Sequence, residues 1–292
     1  MTFFQTILIP VTAETDEFVA LKKVIELFGE DEELHIHMVY IITKASWNKI
    51  TNRLRLSKTP YRSIAHAGFQ TTDKSNYSDI TRNYPGITIH SDSIELSTNN
   101  EELLTYVFNH KINLLVHCKN NRTVPAFSSN IIDVDKIAHL SPCAVLNITV
   151  SSLLHPIKSI LIPIGLTIPE RKIQIAILFA RHKKAAINLL AILDNPGSDE
   201  SQKKIEAFYR TYKMLKECGH TPNHTILERS QTNEVIIAYA KRVKIDLVIL
   251  DPAKKSFVPD FIKRTYFNRS SPDSPLQILK IRSDFTKNSQ FL

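Results

Sequence analysis

The residues whose types and spacing suit chemistry fall into four small groups. His35 and His37 stand two apart, so on an extended strand they share one face, as two ligands of a metal would. With no third ligand nearby in sequence, they read as a structural pair. Cys218-x-His220-x3-His224 carries ligand types that zinc accepts, at loose spacing. Cys118 follows His117, a thiol beside a base, although a free cysteine more often fills a small core position than reacts. Lys254, Lys255 and Arg264 offer positive charge to a small anion, while exposed lysines ordinarily serve solubility. No Gly-x-Ser-x-Gly elbow, Walker loop or Gly-x-Gly occurs, and no general acid, base or nucleophile comes with a recognisable partner. This reading assigns no catalytic residue, no metal site and no cofactor, and it makes an enzyme the least favoured class.

The elements that would position these residues occur twice. Ile112–Cys118 (INLLVHC) recurs as Ile245–Asp251 (IDLVILD), and Ser141–Ile148 recurs as Ser274–Ile281, both at an offset of 133. Thr6–Val11 (TILIPV) recurs as Ser159–Ile164 (SILIPI), and the apolar run from Leu34 recurs from Ile187, both at an offset of 153. The two offsets differ by 20, which places an insertion of that size in the first copy, between its second strand and the strand at 112. Each copy reads as strands alternating with amphipathic helices, an α/β pattern with right-handed crossovers and a mostly parallel sheet. The domains are 1–151 and 152–292, with the insertion within 43–85.

In the first copy the spacing predicts a helix capped by Thr15 or Asp16, with Phe18, Leu21, Val24, Ile25 and Phe28 on its inner side and Gly29 as its stop. A second helix runs from Asn99 or Asn100 to Asn109, with Leu103, Leu104 and Val107 inward. The second copy predicts helices at about 169–182, 200–217 and 232–243 around strands at 159–164, 187–193, 223–228 and 245–251. Between 44 and 62 lie six basic residues, no acid, and Trp47, Ile50 and Leu54 at helical spacing. That segment reads as a helix packed on its own domain; the alternative is an adapter for nucleic acid or membrane.

Composition fits a globular protein: 43% hydrophobic, 23% charged, and apolar runs shorter than the roughly 18 residues of a membrane span. No signal peptide is visible, and three widely spaced cysteines argue for a reducing compartment, so the cytoplasm is expected. The net charge of +8 is uneven, −2 for residues 1–150 and +10 for 151–292. A solvated lysine-rich surface accounts for that excess, and nucleic acid or membrane partners are not expected.

The doubled ILIP openings, the strand-loop-helix-strand block and the Ser-Pro-x-x-[Val/Ile]-Leu-x-Ile endings resemble the universal stress protein (UspA-like) family in its tandem form. The resemblance implies two Rossmann-like (adenine nucleotide alpha hydrolase-like) domains, each a mostly parallel five-stranded sheet with helices on both faces. It also implies internal pairing of the two copies as a pseudo-dimer through their last strands, and a stress-response role. ATP-binding members carry Gly-x2-Gly-x9-Gly-[Ser/Thr] after the fourth strand and an Asp after the first. By position, this chain has Cys118, Asn121, Ile131 and Ile132 in the first copy and Asp251, Lys254, Arg264 and Thr265 in the second, with Thr12 and Gly165 at the Asp position. None of the six glycines falls in either loop, and a β-branched residue resists the left-handed backbone that a phosphate nest uses. The expectation is a degenerate ATP motif in both copies, no bound nucleotide, and action through an unknown protein partner or as a homo-oligomer. The alternative is a regulator holding a nucleotide or other small anion in the second copy through Lys254 and Arg264.

Overall fold

The computed structural model describes residues 4–12, 15, 17–29, 33–42, 77, 80, 82–96, 100–119, 132–149, 155–228, 233–252 and 276–282. The first copy supplies β1 (Thr6–Val11), α1 (Glu17–Phe28), β2 (Leu34–Ile42), β3 (Ile87–Glu95), α2 (Glu101–Asn109), β4 (Leu114–Lys119), α3 (Val134–Leu140) and β5 (Ala144–Thr149). The second supplies β6 (Ser159–Ile164), α4 (Glu170–Lys183), β7 (Ala186–Leu193), α5 (Asp199–Glu217), β8 (Asn223–Glu228), α6 (Asn233–Arg242), β9 (Leu247–Leu250) and β10 (Gln277–Lys280). The chain divides into two compact units, Met1–Val145 and Leu146–Leu292. The basic segment 44–62 with Trp47, and the expected cap Asp16, lie outside the described residues.

Neighbouring strands run β3-β2-β1-β4-β5 in the first copy and β8-β7-β6-β9-β10 in the second. Pairs β1–β2, β1–β4, β2–β3, β6–β7, β6–β9, β7–β8 and β9–β10 are all parallel. Continuous apolar runs make the central strands because both sheet faces are covered, so β1 and β6 share one burial pattern, half-buried at the first residue and buried at the next five. On one face of the first sheet, Leu8, Val39, Ile41 and Leu115 meet α2 and α3 through Leu103, Val107 and Ile137. The same face of the second sheet sets Leu161, Leu190, Ile192 and Val248 against Ile236 and Ala240 of α6. On the other faces α1 packs on β1 and β4, and α4 and α5 pack on β6 and β7.

Register refines the repeat. Ile7 lies opposite Ile36 and Ile160 opposite Ile187, so the second strands correspond at an offset of 151 rather than 153. His37 pairs His90 and Asn188 pairs Asn223, which returns the offset to 133 at the third strand. Two of the extra residues thus precede β2, and the rest lie between β2 and β3. The correspondence reaches side chains. Asn113 accepts a hydrogen bond at Oδ1 from Thr6 N (3.2 Å), and Asp246, 133 residues on, accepts from Lys158 N (2.9 Å), Ser159 N (2.9 Å) and Ser159 Oγ (2.8 Å). Each ties the start of the first strand of its copy to the loop before the fourth.

Helix ends depart from expectation in two places. Phe18 is half exposed instead of facing the core, and the buried stripe of α1 is Ala20, Leu21, Val24, Leu27 and Phe28 with Lys23. Asn100 sits in the left-handed region at φ 58° and does not cap α2; its buried Oδ1 instead accepts from Asp133 N at 2.7 Å. Gly29 does stop α1, since a Cβ there would lie 2.5 Å from the Ile25 carbonyl oxygen. Four lysines are buried among the described residues, which no local pattern marks: Lys23 with Glu26 (3.0 Å), Lys204 with Asp194 (3.0 Å), Lys280 on β10, and Lys172, described below.

Candidate functional site

In each copy the winding reverses beside the first strand, between β1 and β4 and between β6 and β9. Open α/β sheets bind ligands in the crevice beyond the carboxyl ends of strands at such a point. In the first copy Thr12 follows β1 and Cys118 ends the buried part of β4. Thr12 is held in a hydroxyl turn: its N–H donates to Thr15 Oγ1 (3.1 Å), the two hydroxyls lie 2.9 Å apart, and Thr15 Oγ1 donates to the Pro10 carbonyl (3.3 Å). Cys118 is 1% exposed, and Ile132 packs in the apolar cluster with Leu8, Leu103 and Ile137. Beside Thr12, the Tyr40 hydroxyl donates to Glu17 Oε2 (3.4 Å), and Tyr77, paired with Tyr40, has its pKa pushed up chiefly by burial. This crevice presents hydroxyls and a carboxylate.

In the second copy Gly165 follows β6 and Asp251 follows β9. Gly165 has no left-handed backbone, and a Cβ added there would meet nothing within 4 Å among the described residues. Asp251 accepts a hydrogen bond at Oδ2 from Nζ of Lys172, in the first turn of α4. The Lys172 side chain is 3% exposed and that of Asp251 is 57% exposed. Burial lowers the pKa of the ammonium, and the carboxylate acts against that shift. An ion pair therefore links the two elements that flank the reversal point. Next to it, Arg171 Nη1 donates to the Arg282 carbonyl at 3.1 Å. Asn121, Ile131, Lys254, Arg264 and Thr265 lie outside the described residues.

The other sequence candidates take up packing roles. His37 is buried and shares a 3.0 Å hydrogen bond between Nδ1 and the Tyr106 hydroxyl. His90 and His110, which the sequence reading did not connect to it, join it: ring centroids lie 4.8 Å apart for His37–His90, 5.1 Å for His37–His110 and 5.9 Å for His35–His90. The register pair His37–His90 on the sheet, and the i, i+4 step from Tyr106 to His110, bring them together. Burial, then the neighbouring His90, His110 and His35, lower the His37 pKa to about 4, while Asp92 acts in the opposite direction. Tyr106 is raised to about 12 by burial and Asp92. Among the described residues no group of three or more His, Cys, Asp or Glu is arranged to hold a metal. Cys218 is exposed, and His224 packs edge-on against Tyr212 and Phe208. Cys143 is buried and donates weakly from Sγ to the Ala144 carbonyl. Among the described residues no helix is long and apolar enough to cross a membrane.

No protein-family model matches the chain. No curated protein sequence matches it either. Solved structures do. A universal stress protein from Archaeoglobus fulgidus DSM 4304 superposes with a TM-score of 0.63 at 11% identity, over 95% of this chain and 96% of its own. A Pseudomonas aeruginosa UCBPP-PA14 protein assigned to the universal stress proteins gives 0.55 at 16% identity, over 95% and 93%. The cytoplasmic domain of a prokaryotic cation chloride cotransporter gives 0.52 at 11% identity, over 96% of each chain. At these identities the likeness is one of fold, and over nearly its whole length the chain has the tandem Rossmann-like α/β fold of the universal stress proteins.

Proposed function

We propose that this chain is a non-enzymatic universal stress protein of the cytoplasm that acts through protein contacts and binds no ATP in either copy. The observation that carries this reading is the Lys172–Asp251 ion pair at the reversal point of the second sheet. A phosphate nest needs backbone N–H groups open to an anion, and the family meets that need with glycine. Here that position holds a half-exposed carboxylate, which repels a triphosphate, while the nearby ammonium already has a partner. In the first copy, burial of Cys118 and Ile132 supports the same conclusion, because both positions serve the core. Titration calorimetry and thermal unfolding with Mg-ATP test it. A micromolar site would add about 4 kcal/mol of stability at millimolar ligand. No heat and no shift in Tm are expected; a saturable micromolar response would overturn the reading.

The second reading is a regulator that holds a smaller anion or a nucleotide in the second copy through Lys254 and Arg264. Among the described residues, nothing lies within 4 Å of a Cβ added at Gly165, which favours it. Mass spectrometry of small molecules that co-purify with the protein separates the two. We further propose that the copies pair internally through their last strands, as the resemblance to the tandem family implies.

A further inference from the structure

In a parallel sheet covered by helices, every helix ends where a strand begins, so helix C-termini collect at one end of the domain. At that end of the second copy, α4 closes with Arg181, His182 and Lys183 and is followed by Lys184; α6 closes with Lys241 and Arg242 and is followed shortly by Lys244. Lys216 stands in the last turn of α5, and Lys158 leads into β6. Seven of these side chains are exposed, His182 and the six cations Lys158, Arg181, Lys184, Lys216, Arg242 and Lys244. Among the described residues the acids there are engaged, Glu217 within 3.8 Å of Lys213 and Asp246 at the start of β6.

Cations at helix C-termini ordinarily complement the macrodipole. That accounts for only part of the charge, since three helix ends carry about −0.5 each. Among the described residues of the first copy, which has the same strand order, α1 and α2 have no basic residue in the last turn and α3 has only His139; Lys111, the counterpart of Lys244, is the one exposed lysine that follows a helix there. The end is also level. Ser159 faces Ala186, Ile160 faces Leu247 and Asn188 faces Asn223, so these strands start within about two residues, roughly 7 Å, of one another. Val243, an exposed aliphatic side chain at 42%, sits between Arg242 and Lys244.

We propose that this end of the second copy is a docking surface for an anionic lipid bilayer, with the cations at the headgroup layer and Val243 entering it. A planar partner matches a level basic end. Single-stranded nucleic acid instead needs open aromatic faces. The tyrosines near this end already carry cations, Lys216 at 5.4 Å over Tyr212 and Arg242 at 5.5 Å over Tyr239, whose hydroxyl donates to Thr225 Oγ1. Duplex recognition needs a helix or ribbon that enters a groove, and among the described residues the helices terminate here. The proposal does not depend on the fate of the ATP cradle.

The test is co-sedimentation of the full chain with vesicles of phosphatidylcholine, alone or with about 30% phosphatidylserine to provide the anionic surface. Binding to the anionic vesicles only is expected, and its loss in 0.5 M salt follows from screening. Lys184→Ser, Arg242→Ser and Lys244→Ser combined should weaken binding about 100-fold, at about fivefold per cation. A control that removes Lys22, Lys203 and Arg210 should leave it unchanged. Equal loss in both variants, equal binding to neutral vesicles, no binding at low salt, or release from vesicles by an RNA oligonucleotide would each overturn the proposal. If the triple variant fails to fold, Lys158→Ser combined with Lys216→Ser decides the matter, with a loss of about 25-fold expected and unchanged binding overturning the proposal.

Discussion

Acidification should destabilise the first copy through one imidazole. His37 is buried between β2, β3 and α2, hydrogen-bonded to Tyr106 and faced by His35, His90, His110 and Asp92. Its pKa in the folded chain is about 4, against 6.5 in an unfolded one. The folded pKa is lowered, so the unfolded chain binds the proton first. Stability is full above pH 6.5, falls between 6.5 and 4, and levels off below. One pKa unit corresponds to about 1.4 kcal/mol, which gives a loss of about 2.5 kcal/mol by pH 4.5 and about 3.5 kcal/mol at the plateau. The perturbation is His37→Gln, which keeps a hydrogen-bonding group for Tyr106 and removes the titration. Urea unfolding of both proteins at pH 7.5 and 4.5 is the assay. The pH-dependent loss should be smaller in the variant by about 2.5 kcal/mol, with the carboxylates common to both cancelling in the comparison. An identical loss in the two proteins would refute the assignment of His37 as a buried neutral imidazole.

Removing Asp251 (Asp251→Ala) should cost about 2–3 kcal/mol, because it leaves the buried Lys172 ammonium without its carboxylate, whereas Lys172→Met with Asp251→Ala should recover most of that loss; denaturation of the two single variants and the double measures the coupling. Asp246→Ala should cost about 2–3 kcal/mol and Asn113→Ala about 1 kcal/mol, since the first breaks three hydrogen bonds to Lys158 and Ser159 and the second breaks one to Thr6; equal costs in thermal unfolding would contradict this difference in anchoring. The two copies, made separately with the break after Ser151, should recombine in sedimentation, and Val145→Lys or Ile281→Lys should weaken that association; soluble halves with no affinity for each other would sink the internal pairing.

The sequence alone determined the architecture, because it is written in local pattern. ILIP runs too apolar to face water, helical stripes such as Leu103, Leu104 and Val107, and the offsets of 133 and 153 required a doubled parallel α/β unit with an insertion before residue 87. The absence of glycine from both loops was equally legible, since backbone freedom belongs to residue type. Tertiary structure alone decided which distant residues meet. Lys172 looked like one more helix lysine among 37 basic residues, and only the adjacency of β6 and β9 brings it to Asp251, 79 positions away. His35 and His37 were visible as a pair, but His90 joins them through strand register and His110 through the packing of α2. The uneven charge was visible as a number, whereas its gathering at one end of the second copy follows from the parallel sheet, which sends every helix C-terminus to the same side. Local pattern fixes elements because each residue samples its own backbone. The chemistry at this fold's sites arises between residues far apart in the chain, and their meeting depends on strand order and register that no window of sequence contains.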